Sequence, residues 1–171
     1  MALPEPLRGF GNFLRPRPKR MFRSGRPSDQ DFQPEHRLYY RIEHSDEVEG
    51  NHLDPQKIRA AFDVSVNWSK YSKPWDVIFD HPRSGIASVL VRDIRIDLPM
   101  DLTPSHEHEV RKPHSYAPWH EPENENFSHT SIMVTKGGQR LTKSGQISAT
   151  AKREFRQIFS DRAMILLRPA N

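Results

Sequence analysis

Apolar and polar residues alternate most strictly at 62–68. Phe62, Val64, Val66 and Trp68 fall on one side of an extended chain, and Asp63, Ser65 and Asn67 on the other. That pattern predicts a half-buried strand with a polar face. The aromatic and β-branched run RLYYRI, 37–42, predicts an earlier strand, and IASVLV after Gly85, apolar on both faces, predicts a central one. Ile94, Ile96 and Leu98 alternate with Arg95 and Asp97 to give another, 129–135 resumes strand character, and 163–167 closes the sheet. Helical signals are fewer. Asp54-Pro55, followed by Ile58, Ala61 and Phe62, predicts a short helix; Pro74 opens a second within 72–80; and Ile147, Ala151, Phe155 and Ile158 recur at helical spacing with Lys152, Arg153 and Arg156 opposite.

Between 99 and 127 almost nothing is periodic, so the pattern predicts one long irregular loop, a length that is normally functional or disordered. Lys136-Gly-Gly-Gln-Arg140 superficially resembles a phosphate cradle, but with no helix directly after it the segment reads as a hairpin. The order of elements predicts an α+β domain over 36–171: a small mixed sheet with two or three helices, the long loop, and a basic N-terminal arm over 1–35. The arm mixes Pro, Gly and Arg without any period, as a segment does when it buries too little to order itself. Its Phe10, Phe13, Leu14, Met21 and Phe22 leave docking against another surface as an alternative.

Composition narrows the class. A chain of 171 residues fits one ordinary domain, and no apolar run approaches the roughly 18 residues that span a bilayer, so a soluble, intracellular, cytoplasmic protein without membrane contact is expected. With no cysteine, disulfides, thiolate nucleophiles and Cys-type zinc sites are excluded. The net charge of +4 conceals a segregation: 1–26 and 136–171 each carry about +6, and 27–135 about −8. The basic segments could attract a polyanion, another acidic protein surface, or the acidic middle of a second copy. For nucleic acid the candidate contacts are Arg15, Arg17, Lys19, Arg20, Arg23, Lys152, Arg153 and Arg156, with Phe10, Phe13 and Phe22 available for stacking on bases.

Five of the nine histidines, His106, His108, His114, His120 and His129, lie in or just after the loop among five glutamates. Imidazole and carboxylate at that density suit a divalent metal, but the spacing matches no zinc signature and no metal site is assigned. HTSI, 129–132, fits the His-x-Ser/Thr pattern of two-histidine phosphoesterases, which need a second copy that is missing here. There is no GxSxG, GxxxxGK[ST] or GxGxxG.

The succession RLYYRI, VSVNWSKYSKP, HPRSGIASVLV, ENFSHTSIMV and a basic helix resembles an uncharacterised group of small prokaryotic proteins over about residues 37–168. The resemblance implies no activity, but it singles out Arg41, Ser65, Tyr71, Asn126 and His129; Phe127 stands where that group has proline. A more distant similarity is to ADP-ribosyltransferase-like folds. It implies a phosphate- or ribose-binding role for Arg41 and a second-strand role for Ser65, with His129 in place of the late-strand glutamate. Three functions follow as expectations. The first is a binding or accessory protein acting on nucleic acid or a partner complex. The second is a small transferase or nuclease with Arg41, Ser65, Tyr71 and His129 as catalytic residues and no cofactor assigned. The third is an interaction module that self-associates.

Overall fold

The computed structural model describes residues 28–59, 63–94, 96–97, 114–123, 126–136, 139–140 and 149–170. In chain order the strands and helices are β1 (Arg37–Ile42), β2 (Val48–Glu49), β3 (His52–Leu53), β4 (Asp63–Trp68), α1 (Pro74–Val77), β5 (Gly85–Leu90), α2 (Val91–Ile94), β6 (Ile96–Asp97), β7 (His114–His120), β8 (His129–Lys136), β9 (Gln139–Arg140), α3 (Ala149–Arg162) and β10 (Met164–Leu167). Eight strands form one sheet in the order β10, β5, β1, β4, β8, β7, β6, with β9 beside β8; β2 and β3 make a separate hairpin, turned at Gly50, whose φ of 57° suits a residue without a Cβ. The fold is α+β. Every strand pairing among the described residues is antiparallel.

One face of the sheet is the core. Leu38, Tyr40 and Ile42 of β1 meet Val64, Val66 and Trp68 of β4, Ala87 and Val89 of β5, and Ile132 and Val134 of β8. The 14-residue α3 covers this face because Phe155 and Phe159, four residues apart, share one side of it. Phe155 stacks on Tyr116 at 3.9 Å and Phe159 meets Tyr40 edge-on at 5.6 Å. Each aromatic ring so buried contributes roughly 1.5–3 kcal/mol. Ser160 ties the helix to β3 by donating to the Leu53 carbonyl at 2.5 Å. At Gly85 an added Cβ would fall 2.5 Å from the Leu167 carbonyl and 2.6 Å from Pro169 Cδ, so glycine is what lets the chain after β10 close against β5.

Several expectations change. Asp54 does cap, with its Oδ1 accepting from the Gln56 N–H at 2.8 Å, but 55–57 is a turn and not the start of a helix. Residues 91–94 form a helical turn, which confines the strand expected at 94–98 to Ile96–Asp97 among the described residues. Within the stretch expected to be irregular, 114–120 is a seven-residue strand, paired along its whole length with β8. Its Pro118 disguises it. Among the described residues β6 pairs with Ser115 and Tyr116 and not with Pro118, which fits a proline's preference for the part of a strand that lacks a second neighbour. Within 28–35, assigned to the arm by composition, Phe32 is buried and stacks on Trp68 at 4.0 Å, while most of its neighbours stay exposed. No helix among the described residues is long and apolar enough to cross a membrane.

Candidate functional site

Pairing of β4 with β8 sets Ser65 opposite Ser131 and Asn67 opposite His129. Residues directly opposite in an antiparallel pair share a face. These four therefore project from the sheet face away from α3, while Val64, Val66, Thr130 and Ile132 project into the core. β1 joins the same face through Tyr39, paired with Asn67, and Arg41 lies two residues further on. β1 and β4 are in register at only two pairs, Leu38 with Trp68 and Tyr39 with Asn67, so Arg41 and Ser65 stand on either side of the seam where that pairing stops.

Ser65 Oγ is 2.9 Å from His129 Nε2, and His129 Nδ1 is 2.9 Å from the Glu121 carbonyl oxygen. A carbonyl only accepts, so Nδ1 carries a proton; in the neutral ring Nε2 then offers a lone pair, and the Ser65 hydroxyl donates to it. Ser65 is exposed, whereas the His129 side chain retains only 15% of its accessible surface. Glu123 Oε1 lies 3.7 Å from the same Nε2 and would face an imidazolium at ion-pair distance. A hydroxyl, a base within reach and a third group fixing the base's tautomer are the parts of an activated nucleophile.

The turn before β8 aims the histidine. Asn126 Nδ2 donates to Asn67 Oδ1 at 2.6 Å, and the His129 N–H donates to the Asn126 carbonyl at 3.1 Å. Ser128 Oγ lies 2.8 Å from Asn67 Oδ1 and 2.7 Å from Asn126 Oδ1, and its single proton serves one of them. The chain leading into His129 is thereby pinned to β4, the strand that carries Ser65.

Arg41 donates through Nη2 to Glu43 at 2.8 Å, and Arg59 reaches the other oxygen of that carboxylate at 2.6 Å. The Arg41 hydrogen bond is the chief reason the Glu43 carboxyl is held below the ordinary range, and the charge and hydrogen bond of Arg59 act in the same direction. Arg41 Nε and Ser131 Oγ are buried and have no hydrogen-bond partner among the described residues.

Of the four residues singled out as catalytic, the structure brings Arg41, Ser65 and His129 to one face and puts Tyr71 elsewhere. Tyr71 stacks with His120, meets Trp68 and Phe127 edge-on, and its hydroxyl donates to Asp29. Lys152, Arg153 and Arg156 lie on α3, across the sheet from Ser65. Arg15, Arg17, Lys19, Arg20 and Arg23 lie outside the described residues, as do His106 and His108. Among the described residues no three His, Asp or Glu gather as metal ligands. Sequence reasoning missed two contributors. Glu121 acts through its backbone carbonyl, which leaves no trace in composition, and Ser131 matters only because of register. Comparison with protein-family models, curated proteins and solved structures yields no match.

Proposed function

We propose that this chain is a small group-transfer enzyme, a transferase or nuclease, in which Ser65 is the nucleophile and His129 the general base. The observation that carries the reading is the 2.9 Å contact between Ser65 Oγ and Nε2 of His129. As Oγ bonds to an electrophilic acyl or phosphoryl centre, its proton passes to Nε2; the leaving group departs with its bonding electron pair and takes that proton. Water or a second acceptor, deprotonated by the same Nε2, then cleaves the Ser65 ester and restores the hydroxyl. Glu123 stabilises the imidazolium between these steps.

The neutral ester p-nitrophenyl acetate tests this assignment. Ser65 should take up an acetyl group, located by peptide mass spectrometry after an acid quench, and Ser65→Ala and His129→Ala should each lose it. Acetylation at the wild-type rate in His129→Ala would overturn the assignment.

A second reading, binding of nucleic acid or an acidic partner, is supported by α3, where Lys152, Arg153, Arg156 and Arg162 face only Glu154 and Asp161. The sheet separates this helix from Ser65, so the two readings do not compete for one surface. Duplex or single-stranded nucleic acid should bind with an affinity that falls on the order of tenfold or more between 50 and 200 mM salt. Affinity that stays flat over that range would exclude this reading.

A further inference from the structure

Buried donors without partners are rare in folded proteins, because each one forfeits roughly 1–3 kcal/mol that a hydrogen bond would recover. Two of them lie on the sheet face that carries Ser65. On the β8 side is Ser131, its register partner, whose side chain is 1% exposed and whose hydroxyl bonds nothing among the described residues. On the β1 side is Arg41, whose Nη2 is held by Glu43 while its Nε–H has no partner. All three residues fall on one sheet face: Ser131 is directly opposite Ser65, at the usual Cβ separation of about 4.5–5.5 Å, and Arg41 lies on β1 two residues beyond its last pair with β4 on that face. A guanidinium N–H and a hydroxyl on either side of a nucleophilic oxygen match two oxygens of a centre under attack from that oxygen.

The charges around the nucleophile narrow the class of ligand. Arg41 and Arg59 share Glu43, Asp63 projects from the same face of β4 as Ser65, and Glu123 lies beside His129. Two cations against three carboxylates leave the surroundings slightly negative, which disfavours a dianion. A neutral acyl group would leave the Arg41 N–H without an anionic acceptor. A monoanion with two equivalent terminal oxygens satisfies both orphaned donors. We propose that Arg41 and Ser131 form a subsite for the phosphoryl group of a phosphodiester, holding its two non-bridging oxygens over Ser65. This rests on the Ser65–His129 reading above and supplies its substrate class.

Dimethyl phosphate, a monoanionic diester without a good leaving group, probes the subsite apart from any chemistry. With the full chain, amide shifts in 15N spectra should move at Arg41, Ser65 and Ser131, and both Arg41→Met and Ser131→Ala should weaken binding at least tenfold. Bis(p-nitrophenyl) phosphate should be cleaved in preference to p-nitrophenyl phosphate, and Ser131→Ala should raise the KM for the diester by more than it lowers kcat. Ser131→Ala removes only an unbonded hydroxyl and decides the matter if Arg41→Met fails to fold. Absence of shifts, unchanged affinity in Ser131→Ala, or a preference for the monoester overturns the subsite. If dimethyl phosphate binds as described but Ser65 is never acetylated, the nucleophile assignment falls and the subsite stands.

Discussion

His120 and His129 lie on adjacent strands, one position out of register, and are wired as opposite tautomers. His120 pairs with Thr130, is 1% exposed and turns into the core face; its Nδ1 accepts from the Asp29 N–H at 2.9 Å, and its Nε2 donates to the Phe127 carbonyl at 2.5 Å. His129, on the other face, donates through Nδ1 and keeps Nε2 for Ser65. One ring is tied to backbone groups at both nitrogens; the other is tied to backbone at one and meets the exposed Ser65 hydroxyl at the other.

That difference predicts opposite outcomes on truncation. His120→Ala leaves a cavity and unpairs the Asp29 N–H and the Phe127 carbonyl, each worth roughly 1–3 kcal/mol when buried and unsatisfied. His129→Ala unpairs one carbonyl and an exposed hydroxyl that water can reach, and should cost less than His120→Ala, about 1–2 kcal/mol. Urea unfolding of the two variants measures the contrast, and equal losses would contradict it.

Phe32→Ala should cost about 3–5 kcal/mol, the usual range for deleting a buried aromatic ring, because the ring stacks on the fully buried Trp68. Thermal unfolding reports it. A loss below 1 kcal/mol would return residues 28–35 to the arm.

Acid should loosen the same segment. Hydrogen bonds from Lys70 and then from Tyr71 hold the Asp29 carboxyl well below the ordinary carboxylate range. A carboxyl depressed on folding contributes stability that is complete above its unfolded value, near ~4, and that is lost as pH falls through the lower folded value. The wild-type protein should therefore lose stability more steeply below about pH 4 than Asp29→Asn. Parallel pH profiles for the two proteins would contradict the assignment.

Gly85→Ala should destabilise by about 1–3 kcal/mol, as overpacking does, because the atoms in the way, the Leu167 carbonyl and the Pro169 ring and nitrogen, belong to backbone or to a stiff ring. The loss should appear as a lower denaturation midpoint with an unchanged slope.

Local pattern by itself determined β1, β4, β5, β8 and α3, because each buries apolar residues written in consecutive positions, and it placed β10 by its apolar run although no residue of that strand is buried. It determined the hairpin as well, since Lys136 pairs with Gln139 across the two glycines. Pattern failed where a single residue hid a strand, as Pro118 does in β7, and where an apolar residue such as Phe32 lay in a run that composition marks as an arm. For the site, residue types and a resemblance pointed to Arg41, Ser65 and His129, but nothing along the chain fixes which of them meet. Register decides that, since a one-residue slip of β8 against β4 would turn His129 into the core and Ser131 with it. Tertiary structure alone made Ser131 the neighbour of Ser65, chose the tautomer of His129 through the Glu121 carbonyl, and moved Tyr71 away to Asp29. Pairing of distant strands, unlike the period of any one of them, depends on every strand between them.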